Sequence, residues 1–372
     1  MKFVYADNAA STQTDERVLR VISETANNFF ANPSSAHALG KNSAEMLSNS
    51  RQTVADFIGA KSDEIYFCSS GSEAINLAIL GTAKASTKKH IITTKIEHPA
   101  VKNTCLSLEK SGYNITYLDV DSFGFISVLD LKKSITNDTL MFVLAYGNSE
   151  IGTLADVKAI SEICHERGIL VVVDACQSAA YLPLNINDLG ADLLIFNGSK
   201  MYGPKGVSAL YVKEGINIFP IIYGGGQEKS LRSGTENLAA VCGLAKACQI
   251  AKSEHGDYTK IISDLNKKLV NELKDMGVKI NAETPHKLPN HISVIIENTD
   301  STDLVQSLSE LGVYVSSGSA CSQKSQTESH VLNSIGLKSD QINKTIRITL
   351  GKYSQKEDIN AIIEAIKKIQ RG

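Results

Sequence analysis

Short runs of β-branched and other apolar residues alternate with longer amphipathic stretches over residues 15–255. Short apolar runs with polar flanks are typical of buried strands, and the longer stretches have the periodicity or composition of helices. The predicted strands are 65–68, 91–94, 141–145, 169–173, 193–196 and 209–212, and the predicted helices include 72–83, 100–110 and 157–166. This alternation predicts βαβ units and an α/β fold with a mainly parallel sheet.

The pattern changes in the last third of the chain. We expect two consecutive helices, then a strand, a helix and a terminal amphipathic helix, at residues 238–252, 260–276, 291–296, 301–311 and 356–369. No Pro/Ser-rich linker separates the two patterns, so the sequence predicts two domains packed together. The large α/β domain comprises residues 15–255, and the small α+β domain comprises residues 1–14 and 256–372.

Composition narrows the class of protein. Lys and Arg (38) nearly balance Asp and Glu (40), and neither sign forms a long run, so we expect no binding to nucleic acid or to an anionic membrane. The seven cysteines are scattered without a C-x-x-C pair, which argues against a disulfide framework and against a metal site. No leader and no stretch of about 20 apolar residues is evident. The sequence predicts a cytoplasmic protein that acts on a small molecule.

Polar residues follow five of the predicted strands directly. Ligands of open α/β sheets bind at the carboxyl ends of the strands, so these residues are candidates for one shared site. The five segments are 69–73 (SSGSE), 97–99 (EHP), 148–150 (NSE), 174–177 (DACQ) and 197–200 (NGSK).

Each of these segments also has an ordinary structural interpretation, as a helix cap or a surface charge. Together they supply an anion-binding loop, the His98 ring, the Asp174 carboxylate and Lys200, which are the groups needed to hold pyridoxal phosphate. The alternative of a nucleotide-binding fold lacks G-x-G-x-x-G after the first strand and lacks G-x-x-x-x-G-K-[ST].

The chain resembles the group I cysteine desulfurases of the class V aminotransferase superfamily over nearly its whole length. The motifs that carry the resemblance are 5–10 (YADNAA), 32–37 (NPSSAH), 97–98 (EH), 148–152 (NSEIG), 173–178 (VDACQS), 200–206 (KMYGPKG), 224–228 (GGGQE), 232–235 (RSGT), 316–321 (SSGSAC) and 347–351 (RITLG). The resemblance implies a large domain that binds pyridoxal phosphate on a seven-stranded, mainly parallel sheet. It also implies a smaller α+β domain that carries Cys321.

The resemblance implies a role for each motif residue at the cofactor. Lys200 would carry the cofactor, Asp174 would pair with its pyridine nitrogen, Gln177 would contact its phenolic oxygen, and His98 would stack on its ring. The remaining cofactor contacts would come from Gly71, Ser72, Ser149, Asn197, Ser199 and, from the neighbouring subunit of a homodimer, Thr235.

Arg347, with Asn32 nearby, would bind the substrate carboxylate, because a guanidinium group suits a planar carboxylate. A structural ion pair is the alternative for Arg347, since it lies between two isoleucines.

Three positions depart from the family pattern. The phosphate loop 69–73 is one residue shorter than T-S-G-x-T-E, Ser149 stands where an amide is usual, and Ser199 stands where S-G-H-K has histidine. These departures leave the affinity for the cofactor open, while the assignment of Lys200 is unaffected.

Cys321 lies in a Gly/Ser-rich stretch, 316–325, that predicts a loop. The expected reaction converts L-cysteine to L-alanine. Lys200 serves as base, Lys200 or His98 serves as acid, and the Cys321 thiolate takes the sulfur as a persulfide. Cys176 is the competing thiol, although its place at a strand end favours packing.

Two alternatives remain for the function: another class V enzyme, such as an aminotransferase or selenocysteine lyase, or a non-catalytic scaffold. The expected protein partner is a sulfur acceptor, either an iron–sulfur scaffold or a tRNA-thiolation enzyme. The sequence ends soon after its last predicted helix, without the extension by which some members dock a scaffold, so a tRNA-thiolation partner is at least as well supported.

Overall fold

The structure, a computed structural model, describes residues 3–318 and 328–371. The strands in these residues, β1 to β13, are Val4–Tyr5, Ile65–Cys68, His90–Thr94, Asn114–Leu118, Thr139–Ala145, Leu170–Asp174, Leu193–Asn197, Ser208–Val212, Lys279–Ile280, His291–Ile295, Val313–Tyr314, Ser316–Ser317 and Thr345–Thr349. The helices, α1 to α12, are Glu16–Asn28, Ala38–Ile58, Gly71–Lys84, Pro99–Glu109, Val128–Ser134, Val157–His165, Ile186–Leu189, Leu238–Asp275, Ser301–Glu310, His330–Ser334, Ser339–Asn343 and Lys356–Arg371. None of these helices combines the length and the apolar character needed to cross a bilayer.

A seven-stranded sheet in the order β2-β8-β7-β6-β5-β3-β4 forms the centre of the structure. Strands β7, β6, β5, β3 and β4 are parallel, whereas β8 is antiparallel to both of its neighbours. Alternate residues of β5 enter separate cores, with Phe142 and Leu144 on one face and Met141 and Val143 on the other. Burial on both faces explains the continuous apolar runs of these strands and confirms the α/β fold with a mainly parallel sheet.

Every predicted strand of this sheet is present, with bounds that shift by one or two residues. The sequence prediction missed β4, which pairs only with β3 at the edge of the sheet. Its sequence, NITYL, includes polar side chains and is mostly half-exposed, so it lacks the long apolar run that identified the central strands.

A single helix, α8, replaces the two helices predicted over residues 238–276. The residues between the two predicted helices include Gly256, but the helix continues through them because its second half is also buried, at Tyr258 and Ile262. The Tyr258 hydroxyl donates to the carbonyl of Ala180, and α8 packs along α1 and α2. The predicted division into two domains stays a prediction, and its boundary at residue 255 lies inside this helix.

A second, antiparallel sheet has the order β12-β13-β10-β9, and β1 pairs in parallel with β11. Helices α9 and α12 contact each other, with α9 also against β12 and β13 and α12 against β1. In this sheet Arg347 lies on β13 opposite Ser293 and Ser316. The fold therefore places Arg347 in the middle of the second sheet.

The segment 224–235 has an unusual backbone that two ion pairs hold in place. Glu228, Lys229 and Ser230 have φ values of 47°, 56° and 65°, a left-handed conformation that costs a non-glycine residue about 1–2 kcal/mol. Glu228 accepts two hydrogen bonds from Arg51, both 2.7 Å, and Arg232 pairs with Glu73 of α3 at 2.7 Å. These contacts fix the segment against the start of the central sheet.

Replacing Glu228 with Gln should destabilise the protein, because it leaves the guanidinium of Arg51 half-buried without a charge partner. We expect a loss of about 3–5 kcal/mol in the free energy of unfolding, measured by urea denaturation. The matched control is Glu214→Gln in the exposed pair with Lys61, which should change stability little. Equal effects of the two variants would show that the Glu228 pair does not hold this segment.

Candidate active site

One cavity of about 310 Å³ is lined by all five strand-end segments that the sequence predicted to meet. Strands β2, β3, β5, β6 and β7 run in the same direction, since β8 is antiparallel to both β2 and β7, so their carboxyl ends share one edge. The predicted site residues that line the cavity are Gly71, Ser72, His98, Ser149, Asp174, Gln177, Asn197 and Lys200.

Lys200 ends a short 3₁₀ turn, Gly198–Lys200, directly after β7. Its Nζ donates hydrogen bonds to the carbonyls of Ala9 at 2.6 Å and Ala10 at 2.5 Å. The Gln177 amide also donates to the Ala9 carbonyl, at 3.0 Å. These backbone acceptors were missed in the sequence, because a carbonyl group leaves no signal in the side-chain pattern.

Asp174 is the last residue of β6 and is buried at the cavity. Its Oδ1 accepts a hydrogen bond of 2.9 Å from the backbone N–H of Cys176. This contact fixes the carboxyl group while the residue still lines the cavity. Asp174 therefore caps the following turn through Oδ1 and also presents its carboxylate to the cavity.

His98 caps helix α4 and lines the same cavity. The backbone N–H of Ala100 donates to Nδ1 at 3.0 Å, which makes Nδ1 an acceptor. Burial lowers the pKa of His98 below its ordinary value; Lys200 lowers it further, while the negative charge of Asp174 opposes the shift. A neutral imidazole with this contact carries its proton on Nε2, where it can donate a hydrogen bond to a ligand in the cavity.

Glu97 is a buried carboxyl group next to His98 to which the sequence assigned no role. Thr94 donates to its Oε1 at 2.6 Å, while Oε2 has no hydrogen-bond partner among the described residues. Burial raises the pKa of Glu97 to about 8, and the charge of Asp174 raises it further. Glu97 is thus a neutral acid at pH 7 and adds no second negative charge beside Asp174.

The first turn of α3 forms the opposite end of the cavity. A Cβ atom at Gly71 would lie 2.9 Å from Asn197 Nδ2 and 3.1 Å from Cys176 Sγ, so a larger residue here would displace side chains that line the cavity. The free backbone N–H groups of a helix N-terminus attract phosphate. A lysine, a buried carboxylate and this helix end around one cavity fit pyridoxal phosphate.

Arg347 is buried outside this cavity. Its guanidinium group donates to Asp7 Oδ1 at 2.8 Å and to the Ser149 carbonyl at 2.9 Å, while Nε has no partner among the described residues. Arg347 therefore forms the structural ion pair that the sequence offered as the alternative for this residue. The contact with Ser149 brings it next to a residue that lines the cavity, and its role in substrate binding stays a prediction.

Three other predicted site residues lie elsewhere. Asn32 and Thr235 are exposed and do not line the cavity, and Ser199 lines an adjoining cavity instead. Cys321 lies outside the described residues. In the part of the chain that is described, no three His, Cys, Asp or Glu side chains are arranged to bind a metal ion.

Cys176, the competing thiol, lines the cavity but is buried. Burial raises the pKa of this thiol well above its usual value, and the charge of Asp174 raises it further. Only a thiolate is an effective nucleophile toward sulfur, so Cys176 is poorly suited to accept it.

Comparisons with known proteins agree with this geometry. The family model described as Aminotransferase class-V matches residues 4–362. A protein named cysteine desulfurase IscS from Dictyoglomus turgidum is 40% identical over 370 residues, which cover 98% of this chain and 94% of the relative.

Two solved structures are similar over nearly the whole chain. One, titled NifS-like protein, has a TM-score of 0.94 and 34% identity and covers 100% of both chains. Another, titled SspA in complex with cysteine, has a TM-score of 0.83 and 34% identity and covers 95% of this chain and 100% of its own. From the family match and these full-length similarities, the chain belongs to the aminotransferase class-V family.

Proposed function

We propose that this protein is a pyridoxal-phosphate-dependent cysteine desulfurase that converts L-cysteine to L-alanine and transfers the sulfur to Cys321 as a persulfide. The observation that carries the proposal is the meeting of Lys200, Asp174 and the first turn of α3 around one cavity. The relatives named cysteine desulfurase and the neighbour titled as a cysteine complex support this substrate.

Pyridoxal phosphate, when bound through Lys200, withdraws electrons from the Cα atom of an amino acid and makes the Cα proton acidic. Asp174 would keep the pyridine nitrogen protonated, and Gln177 would contact the phenolic oxygen. The backbone N–H groups at Gly71 and Ser72 would bind the phosphate.

Lys200 and His98 are the residues proposed to transfer protons. The Lys200 amine takes the Cα proton, and the carbonyls of Ala9 and Ala10 then stabilise the resulting ammonium at a fixed place. His98 is the second candidate acid: its Nδ1 is occupied by the Ala100 N–H, so Nε2 is the nitrogen that would exchange a proton with the substrate, and it gives one up only from the protonated ring. The neutral state of Glu97 favours this arrangement, since a second carboxylate would compete for the proton.

We assign the substrate carboxylate to Arg347, with Asn32 as a second contact. Arg347 is the buried guanidinium next to Ser149, and Asp7 holds its side chain in one orientation. A positioned guanidinium loses little side-chain entropy when it binds a carboxylate.

Transfer of sulfur needs a thiolate that can approach the substrate. The six cysteines among the described residues are all buried, which leaves Cys321 as the candidate. Its thiolate would attack the sulfur of the bound cysteine, so that the S–S bond of the persulfide forms while the Cβ–Sγ bond of the substrate breaks. The electron pair of that bond passes to Cβ, which takes up a proton to give alanine.

The partners follow from this chemistry. A protein must take the persulfide sulfur, and an iron–sulfur scaffold or a tRNA-thiolation enzyme would serve. A homodimer is supported by Thr235, exposed at the end of the segment that Glu228 and Arg232 fix, and by the exposed ring of Tyr223 beside it.

Another class V enzyme would use Lys200 and Asp174 without needing Cys321, so the variants below separate it from the proposal.

Replacing Lys200 with Ala should abolish alanine formation and the visible absorbance of the lysine-bound cofactor, because no other lysine among the described residues lines the cavity. Spectra of the purified protein with added pyridoxal phosphate measure the effect. Lys158→Ala on α6 is the control and should retain both properties. A Lys200→Ala protein that kept the absorbance would overturn the assignment of the lysine.

Replacing Asp174 with Asn should reduce turnover at least on the order of 100-fold while the cofactor still binds. An amide oxygen can still accept the Cys176 N–H, so the fold should survive, but the amide cannot hold the pyridine nitrogen protonated. Steady-state alanine production measures the loss. Near-normal turnover would mean that Asp174 is only a structural cap.

Replacing Cys321 with Ser should separate the two halves of the reaction. Added cysteine should still change the absorbance of the cofactor, since that step needs Lys200 and Asp174, but no persulfide and no steady alanine release should follow. Mass spectrometry of the protein and an alanine assay test this, with Cys176→Ser as the matched control that keeps both activities. Unchanged alanine release by Cys321→Ser would favour another class V enzyme.

A further inference from the structure

A second cavity, of about 260 Å³, adjoins the cofactor cavity at the first turn of α3. Ser70, Gly71 and Asn197 line both cavities, so the two spaces meet at these residues. Ser199 and Lys205 line only the second one. A group bound at the start of α3 therefore lies between Lys200 on one side and Lys205 on the other.

The second cavity is suited to an anion. Its lining includes hydroxyl groups, an amide and one ammonium group, and it includes no carboxylate. Glu73, the acidic residue of this turn, is paired with Arg232 at 2.7 Å and also accepts from the Ser69 N–H at 2.9 Å. No ion pair joins Lys205 to a carboxylate within the described residues, so its charge is not neutralised by an acidic partner.

The phosphate of the cofactor needs more positive charge than a helix end provides. A phosphate monoester carries about −1.5 to −2 charges at pH 7, whereas a helix N-terminus contributes roughly half a positive charge. Position 199, where the family pattern has histidine, is a serine whose hydroxyl donates to Asn197 Oδ1 at 3.1 Å. A serine is uncharged and smaller than histidine, which leaves room between the phosphate position and Lys205.

We infer that Lys205 is the cation that binds the phosphate group of the cofactor, together with the first turn of α3, and that it replaces the charge missing at Ser199. This inference rests on the proposed function, because it takes the bound group to be pyridoxal phosphate. Lys205 follows Pro204 in an exposed turn beside the cavity, where a flexible ammonium group can reach a phosphate oxygen.

Binding of two aldehydes to the cofactor-free protein tests the inference. Pyridoxal phosphate and pyridoxal both react with Lys200, but only the first carries a phosphate, so the ratio of their dissociation constants isolates the phosphate contact. We expect Lys205→Gln to weaken the binding of pyridoxal phosphate about 10- to 100-fold. The dissociation constant of pyridoxal should stay within about twofold of its wild-type value. Equilibrium titration by absorbance gives both constants without any turnover.

Two further variants sharpen the test. Lys205→Arg keeps the charge and should retain most of the affinity. Lys158→Gln removes an exposed lysine that lines neither cavity and should change neither constant. Loss of affinity for both aldehydes in Lys205→Gln, or for neither, would overturn the role of Lys205. Failure of the wild-type protein to bind either aldehyde at Lys200 would instead overturn the proposed function on which the inference rests.

Discussion

The common direction of β2, β3, β5, β6 and β7 is the constraint on which the site depends. Parallel strands end at the same edge, so each contributes one polar segment to a single cavity. A strand that slipped by one residue would turn Asp174 away from the cavity, because successive side chains of a strand point to opposite faces of the sheet. The chemistry of the site is thus held by the packing of the sheet.

The N-terminal segment 5–12 joins this edge to the second sheet. The carbonyls of Ala9 and Ala10 hold Lys200, the carboxylate of Asp7 holds Arg347, and the Thr12 N–H donates to the Ser199 carbonyl at 2.8 Å. One short segment therefore sets the positions of the lysine and of the arginine proposed to bind the substrate. A shift of this segment would move both groups at once.

The sequence predicted the central sheet and most of the cavity because both depend on local signals. An apolar run marks a strand, and the polar residue after it, such as Asp174 or Lys200, lies at the strand end. Contacts between distant parts of the chain leave no such signal. The ion pair of Arg347 with Asp7 spans 340 positions, and the acceptors of Lys200 are backbone atoms 190 and 191 residues away. Helix α8 was divided wrongly for a related reason, because tertiary packing outweighed the local effect of Gly256.

Electrostatic balance explains why the second cavity matters. Burial keeps Glu97 and His98 neutral at pH 7, and Arg347 and Asp7 neutralise each other, so these groups add no net charge near the cavity. In the proposed function Lys200 and Asp174 would bind the aldehyde and ring ends of the cofactor, which would leave the phosphate to the far end of the cavity. There the N-terminus of α3 supplies only a partial charge, and Ser199 supplies none. The exposed Lys205 lines the second cavity and not the one that holds Lys200, His98 and Asp174, so it would add positive charge at the phosphate end alone.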